Sequence, residues 1–176
     1  IPNAIDVGSY QFRRPSERGP GGELLFTGTM DYRPNVDAMA WFGAEILPRI
    51  QQRQPAVRLT IAGRNPAPAV KRLAGPAVEV TGTVPDIRTY LDRSAVYVAP
   101  LRMGSGTRFK LLEAMAAGVP VVTTSFGAEG LGVRDGRELL IADDAERFAV
   151  AVDRLLRDRT LADRLACRAV EHVRQH

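Results

Sequence analysis

The sequence is poor in cysteine and in aromatic residues, and it has no long apolar run. Its one cysteine, Cys167, excludes an internal disulfide framework. Its two histidines, His172 and His176, have no acidic cluster beside them, so a metal site is not expected. No apolar run approaches the ~18 residues of a membrane-spanning helix. We therefore expect a globular chain without disulfides, bound metal or a membrane span.

The positive charges are scattered along the chain. The formal net charge is +4, yet no run of five or more like charges occurs. Aromatic residues make up 6% of the chain, which is too few for a base-stacking platform. We therefore expect no nucleic-acid binding, whereas a small phosphate-bearing ligand needs only a local excess of positive charge. Among 24 basic residues, Lys71 and Lys110 are the only lysines.

Apolar strand patterns alternate with helical patterns after a Pro- and Gly-rich start. Residues 1–22 show no periodicity and are interpreted as a linker or extended segment, and residues 23–176 as one domain. Strands are predicted at 23–29, 57–62, 78–81, 95–99, 120–123 and 138–141. Helices are predicted at 34–53 (kinked by Pro48), 67–73, 86–92, 107–117, from a cap at Asp143 or Asp144 to 157, and at 161–172. This alternation predicts an α/β fold, a Rossmann-like three-layer αβα sandwich with a mainly six-stranded parallel sheet.

Glycines cluster where the predicted strands end, at Gly28, Gly63, Gly82, Gly104 and Gly106. Each glycine alone is explained by a turn that needs a positive φ angle. Together they lie at the carboxyl ends of parallel strands, which share one edge of the sheet. Ligands of open α/β sheets bind at that edge, so the pattern favours a ligand cleft.

One of these glycine-rich loops, residues 100–106, leads into the predicted helix 107–117. Glycine allows a ligand to approach the backbone closely, and a helix start offers N–H groups that lack intrahelical acceptors. The N–H groups of Gly106, Thr107 and Arg108 therefore form a candidate anion site.

Two charged side chains on this helix suit a nucleotide. Lys110 lies in the first turn and can add a full positive charge. Glu113 lies about 10 Å from the predicted helix start, and its two acceptor oxygens suit two vicinal ribose hydroxyls. The alternative is an exposed i,i+3 ion pair between Lys110 and Glu113. Arg108 reaches the same ligand as Lys110 only if it still belongs to the loop.

The segment GSGTRFKLLEAMAAGVPVVTTSFGAEGL resembles the donor-site motif of retaining GT-B glycosyltransferases, the family-4 group also known as glycosyl transferases group 1. The motifs IPNAID, FTGTMDYRPNVDAMAWF, LTIAGRNP and VTGTVPDI match the same group in order. The resemblance extends from about residue 1 to 172. It implies that the chain is one half of a GT-B fold, the C-terminal donor-binding domain, and that the N-terminal acceptor-binding domain is absent.

The resemblance also implies roles for individual residues. Glu113 matches the second glutamate of the E-x7-E motif, which binds ribose. Gly106 and Thr107 match the backbone segment that binds the donor diphosphate. Gly28 matches the glycine of the first loop near the reaction centre, and Val84 lies where these enzymes contact the base.

The sequence departs from the family pattern at three positions around the expected sugar and phosphates. Ser105 stands where the sugar-facing glutamate is expected, so no catalytic residue is assigned beyond that position. Thr29 replaces the usual arginine of the first loop, and Arg33 is the nearest candidate for its phosphate-binding lysine. We therefore expect Lys110 to supply the main positive charge, supported by Arg108 or Arg33.

The resemblance implies a whole protein that transfers a hexose with retention of configuration, without a metal or other cofactor. The donor is a UDP-, GDP- or ADP-sugar, and the acceptor is a glycan or lipid-linked glycan bound by the N-terminal domain. The subgroup builds bacterial exopolysaccharides or related surface glycans in the cytoplasm, at the inner face of the membrane, where peripheral membrane contact is expected. We expect this chain alone to bind nucleotide weakly and to show little or no transfer.

Three other functions compete with glycosyl transfer. A dinucleotide-dependent oxidoreductase needs G-x-G-x-x-G after the first strand, and residues 27–31 (TGTMD) lack it. A nucleotide-sugar epimerase shares the GT-B architecture and stays open. A non-catalytic nucleotide-binding module also stays open, because Ser105 and Thr29 replace charged residues of the family pattern.

Overall fold

Six short apolar segments form one parallel sheet in the computed structural model, which describes residues 5–19, 21–106 and 108–175. The strand order is β3-β2-β1-β4-β5-β6. The central strands are buried on both faces, as continuous apolar runs predict. The strands are β1 Glu23–Thr27, β2 Arg58–Ala62, β3 Val78–Gly82, β4 Val96–Ala99, β5 Val121–Thr123 and β6 Leu140–Ile141. The predicted Rossmann-like α/β fold is confirmed.

Helices flank this sheet. The first helix, α1, packs against α3, while α2 packs against α7. Helix α5 contacts β4, β5 and the C-terminal helix α8. The helices are α1 Arg33–Trp41, α2 Leu47–Arg53, α3 Pro68–Lys71, α4 Arg88–Arg93, α5 Phe109–Ala116, α6 Ser125–Ala128, α7 Ala145–Arg157 and α8 Arg159–Gln175.

The predicted helix 34–53 is interrupted, as expected from Pro48, but the interruption lies before the proline rather than at it. A π-helical segment, Phe42–Ile46, separates α1 from α2, and the Leu47 N–H donates to the carbonyl of Phe42. A proline has no N–H, and its ring clashes with the carbonyl four residues earlier. The wider π turn before Pro48 accommodates the proline without that clash.

Several predicted boundaries are wrong by a few residues. Helix α5 begins at Phe109 rather than at residue 107. The short helix α6 is an element that the sequence pattern does not predict. Asp144 caps α7 by accepting a hydrogen bond from the Arg147 N–H at 2.8 Å. Asp143 instead accepts hydrogen bonds from the backbone and hydroxyl of Ser125, both at 2.7 Å, and so holds the start of α6.

The N-terminal segment, residues 5–19, packs along the domain and contains two 3-10 turns, Val7–Ser9 and Pro15–Glu17. The guanidinium of Arg18 is buried and donates to the carbonyls of Ala117 at 2.6 Å and Ser94 at 3.3 Å. A segment without periodicity is therefore held by side-chain hydrogen bonds to backbone carbonyls.

The strand order reverses between β1 and β4, since each connection after β1 moves toward one edge of the sheet and each after β4 toward the other. A crevice opens beside the carboxyl ends of two strands at such a switch point. The loops that follow β1 and β4 therefore form the walls of any ligand site.

Candidate functional site

A cavity of about 540 Å³ lies at the carboxyl ends of β1 and β4. Its walls come from the loop after β1, the start of α1, the loop after β4 and the start of α5. The lining residues are Gly28, Thr29, Asp31, Tyr32, Pro34, Asn35, Leu101, Met103, Gly104, Ser105, Arg108 and Lys110. Six residues that the sequence places at the expected ligand cleft therefore meet in one cavity: Gly28, Thr29, Gly104, Ser105, Arg108 and Lys110.

Gly28 brings the first loop close to the charged groups of the cavity. Its φ angle is +151°, in a region that favours glycine. A Cβ atom at this position would lie 2.7 Å from Asn35 Nδ2 and 2.9 Å from Lys110 Nζ. No larger residue fits without moving both side chains, so the glycine allows the Lys110 ammonium to lie directly beside the backbone of the loop.

Lys110 extends from the first turn of α5 into the cavity. Its Nζ donates a 2.6 Å hydrogen bond to Asn35 Oδ1 and lies 4.6 Å from the centroid of the Phe26 ring. Burial, and secondarily the nearby Arg108, lowers the pKa of Lys110 from 10.5 to about 8. The ammonium is therefore largely charged at pH 7, in surroundings where that charge is poorly solvated. Such a site favours an anionic ligand.

Asn35 was not predicted from the sequence, although it holds Lys110 in place. It is 4% exposed, and its Nδ2 donates to the Thr29 carbonyl at 2.9 Å while its Oδ1 accepts from Lys110. The amide thus links the first loop to the cation across 75 residues of sequence. The only signal in the sequence is a polar residue directly after Pro34, at the start of a helix.

Replacing Asn35 with Ala should lower the free energy of unfolding by about 2 kcal/mol, because the Thr29 carbonyl and the Lys110 ammonium both lose a buried partner. Asn35→Asp keeps an acceptor for Lys110 but cannot donate to Thr29. Urea unfolding of both variants separates the two hydrogen bonds. Identical unfolding of Asn35→Ala and the unchanged protein would mean that this connection contributes nothing to stability.

Helix α5 begins later than the sequence predicted. The backbone N–H groups that are candidates for binding an anion therefore change. Arg108 is the N-cap residue, so helix geometry leaves the N–H groups of Phe109 and Lys110 without intrahelical acceptors. Gly106, with a φ angle of +100°, belongs to the preceding loop. Thr107 lies outside the described residues.

Arg108 lines the cavity from the loop side, but its guanidinium already has protein partners. It donates to the Gly106 carbonyl at 3.1 Å and to the Phe126 carbonyl at 3.2 Å. It also lies 5.0 Å from the centroid of the Phe126 ring. These contacts use two of the five guanidinium N–H groups and tie the loop to α6. Arg108 therefore shapes the cavity wall, while Lys110 is the cation beside Gly28.

Glu113 and Val84 lie outside the cavity lining. Glu113 is half-buried, and its Oε1 accepts a 2.8 Å hydrogen bond from the hydroxyl of Tyr10. With α5 beginning at Phe109, Glu113 lies about 6 Å along the helix, rather than the expected 10 Å. The alternative ion pair with Lys110 is not formed, since each group has another partner. Val84 follows β3 and packs against the core.

Ser105 is exposed at the rim of the cavity and Thr29 lines its wall. Thr29 accepts a 3.3 Å hydrogen bond at its hydroxyl from Arg64, whose side chain therefore approaches the first loop. Arg33 is exposed at the first residue of α1 and is not among the lining residues. The positive charge that faces the cavity therefore comes from α5 rather than from the helix after the first loop.

The family model described as "Glycosyl transferases group 1" matches residues 21–158 of the chain. This match covers more than half of the sequence and includes every strand and the whole cavity lining. The chain belongs to the group 1 glycosyl transferases. The family predicted from the donor-site motif is thereby confirmed.

A curated relative from Mycobacterium leprae (strain TN), a phosphatidyl-myo-inositol mannosyltransferase, is 34% identical over all of this chain and 49% of its own length. The chain spans between about a third and a half of the length of the curated relatives it matches.

Two solved structures share the fold. The C-terminal domain of a glycosyl transferase group 1 family protein (LpcC) from Francisella tularensis has a TM-score of 0.74 and 16% identity, covering 98% of this chain and 97% of that one. Anabaena Alr3699/HepE in complex with UDP and glucose has a TM-score of 0.77 and 16% identity, and the match covers 98% of this chain and 51% of that one. These likenesses identify the fold as that of the GT-B glycosyltransferase domains.

Two absences hold for the part of the chain that the structure describes. Within residues 5–19, 21–106 and 108–175, no helix is long and apolar enough to span a membrane. Over the same ranges, no group of three or more His, Cys, Asp or Glu side chains is placed to hold a metal ion.

Proposed function

We propose that this domain of a group 1 glycosyl transferase binds a nucleoside diphospho-sugar, with the diphosphate beside Lys110, the ribose at Glu113 and the base near Val84. The sugar then lies toward Ser105 and the loop after β1. The observation that carries this proposal is the Lys110 ammonium, held by Asn35 beside Gly28 in a cavity at the switch point of the sheet.

The diphosphate has a physical reason to bind there. The start of α5 offers the N–H groups of Phe109 and Lys110 together with the positive end of the helix dipole. The Lys110 ammonium has three hydrogens, of which Asn35 Oδ1 accepts one, so others can be donated to phosphate oxygens. These groups stabilise the charge that develops on the departing nucleoside diphosphate, and the proposal needs no metal ion for that purpose.

For the whole protein, we infer transfer of a hexose from a UDP-, GDP- or ADP-sugar with retention of configuration. The acceptor is a glycan or lipid-linked glycan, bound by an N-terminal domain, and the product is a bacterial surface glycan or exopolysaccharide. The similarity to a phosphatidyl-myo-inositol mannosyltransferase supports a lipid-linked acceptor. A neighbour that binds UDP and glucose supports a nucleotide-sugar donor. This chain alone should show little transfer.

Ser105 favours a second candidate function, a nucleotide-binding module without catalysis. A serine at the rim can donate a hydrogen bond to a sugar hydroxyl, but it carries no charge where the family pattern places a glutamate. Such a module binds UDP, GDP or ADP and gains no affinity from an attached hexose. Calorimetry that compares each nucleoside diphosphate with its sugar derivative separates the two functions.

Replacing Glu113 with Ala should weaken binding of the best of UDP, GDP and ADP by about tenfold, because the ribose hydroxyls lose a charged acceptor. Inorganic pyrophosphate should bind this variant as it binds the unchanged protein. Glu171→Ala is the matched control, since Glu171 is an exposed glutamate on α8 that is not among the residues lining the cavity.

Three results of this calorimetry count against the proposal in different ways. If none of the three nucleotides binds the unchanged chain at millimolar concentration, the donor site itself is wrong. If Glu113→Ala leaves the affinity unchanged, only the ribose assignment is wrong. If Glu113→Ala and Glu171→Ala weaken binding equally, the effect is not local to the site.

A further inference from the structure

The hydroxyl of Tyr10, in the N-terminal segment, contacts Glu113 on α5. It donates a 2.8 Å hydrogen bond to Glu113 Oε1 across 103 residues, in partly buried surroundings. Burial, and secondarily the hydrogen bond to Glu113, raises the pKa of Tyr10 above its ordinary value. The phenol therefore stays protonated at neutral pH and acts as the donor in this contact.

The position of Tyr10 is fixed by the turn that precedes it. The Asp6 carboxylate accepts from the Gly8 N–H at 3.1 Å, and the Tyr10 N–H donates to the Val7 carbonyl at 3.2 Å. Arg88 donates to the Ser9 carbonyl at 3.4 Å, which ties the turn to α4. Tyr10 therefore reaches α5 from a turn that is hydrogen-bonded to α4.

The contact uses only part of the capacity of the carboxylate. The two oxygens of an ionised glutamate offer about four lone-pair sites, of which Tyr10 occupies one. A glutamate side chain that is free to rotate loses conformational entropy when it binds a ligand. A hydrogen bond that already fixes its orientation removes part of that loss from the binding step.

From these contacts we propose that Tyr10 is a positioning residue for ribose recognition: it orients the Glu113 carboxylate so that the remaining lone pairs accept hydrogen bonds from the 2′- and 3′-hydroxyls. The inference rests on the proposed nucleotide site and adds a determinant of its preference for ribose. It also places part of that site on the N-terminal segment 5–19. Removing the Tyr10 hydroxyl therefore weakens the binding of ribonucleotides more than the binding of ligands without a 2′-hydroxyl.

The test is calorimetry on Tyr10→Phe with UDP, GDP and ADP, their 2′-deoxy counterparts and inorganic pyrophosphate. Phenylalanine keeps the ring packing and removes only the hydroxyl. We expect roughly three- to tenfold weaker binding of the ribonucleotide, a smaller ratio between ribo and 2′-deoxy affinities, and unchanged pyrophosphate binding. Tyr90→Phe is the control, because Tyr90 is a half-buried tyrosine on α4 that stacks with Arg93.

A double variant separates positioning from a general structural effect. In a Glu113→Ala background, Tyr10→Phe should cause no further loss of nucleotide affinity, since its partner is gone. The inference is overturned if Tyr10→Phe weakens the binding of pyrophosphate as much as that of the ribonucleotide. It is also overturned if Tyr10→Phe still lowers nucleotide affinity in the Glu113→Ala background. Nucleotide binding that depends on Glu113 but not on Tyr10 overturns this inference alone. Absence of nucleotide binding to the unchanged chain overturns the proposed function as well.

Discussion

Replacing Lys110 with Met should weaken binding of nucleoside diphosphates by about a hundredfold while making the protein more stable. The diphosphate loses a buried charge-assisted hydrogen bond, which is worth more than a neutral one. The methionine packs against Phe26 and carries no charge that must be desolvated. Opposite effects on binding and stability are the mark of a residue that is kept for its ligand.

The sign of the stability change follows from the pKa of Lys110, which falls from 10.5 in the unfolded chain to about 8 in the fold. Between pH 8 and 10.5 the unfolded chain holds more protons at this residue, so the contribution of Lys110 to stability rises with pH across that window. Below pH 8 the buried charge costs about 3 kcal/mol. Leaving Asn35 Oδ1 without its donor offsets part of that cost, so the net gain for Lys110→Met is about 1–2 kcal/mol.

Urea unfolding at pH 7 and at pH 10, together with calorimetry, checks both effects. The gain in stability should be present at pH 7 and smaller at pH 10. Nucleotide affinity of the unchanged protein should fall as pH rises above 8, and the variant should lack that dependence. Lys71→Met is the matched control, because Lys71 is exposed on α3. A Lys110→Met variant that is less stable and binds normally would contradict the assigned role.

The sheet and the position of the candidate site at its carboxyl edge could be predicted because both depend on local patterns. Apolar runs and the glycines after them are short-range signals, and Gly28, Gly63 and Gly104 lie at the carboxyl edge as predicted. The scarcity of lysine in a chain rich in arginine distinguishes Lys110 from the other basic residues. Its place in the cavity follows from its position in the first turn of α5.

The partners of the charged side chains could not be predicted, because they come from distant parts of the chain. Asn35 contacts Lys110 across 75 residues, and Tyr10 contacts Glu113 across 103. Neither contact has a periodicity or spacing that marks it. The i,i+3 rule suggested instead that Lys110 and Glu113 pair with each other, since that rule considers one helix alone. Tertiary contacts with α1 and with the N-terminal segment replace that pair.

Contacts with distant parts of the chain also explain why α5 begins later than predicted. A glycine-rich loop followed by Thr107 predicts a helix that begins at once, whereas the helix begins at Phe109. Arg108 is held outside the helix by its hydrogen bonds to Gly106 and to Phe126 of α6. Because Asp143 holds the start of α6, a residue 35 positions after Arg108 contributes to where α5 begins.

Replacing Gly63 with Ala should lower the free energy of unfolding by about 3 kcal/mol or more. Gly63 follows β2 with a φ angle of +155°, and a Cβ atom there would lie 1.7 Å from the carbonyl oxygen of Gly28. The clash is between the Cβ atom, whose position the backbone fixes, and a backbone oxygen of the adjacent loop, so no side-chain rotation relieves it. The strands before them pair at Thr27 and Ala62, which leaves little freedom to separate the loops.

The clash should also reduce nucleotide affinity, because relief of the contact shifts Gly28 relative to the Lys110 and Asn35 side chains that lie beside it. Gly82→Ala is the control: Gly82 has a φ angle of +69°, and its Cβ would meet no atom within 4 Å. That variant should lose only about 1 kcal/mol from backbone strain and bind normally. Urea unfolding and calorimetry with UDP, GDP and ADP compare the two. If both variants lose the same free energy of unfolding and the same nucleotide affinity, the two loops separate at little cost. Gly63 would then have no role in holding the first loop against the Lys110 ammonium.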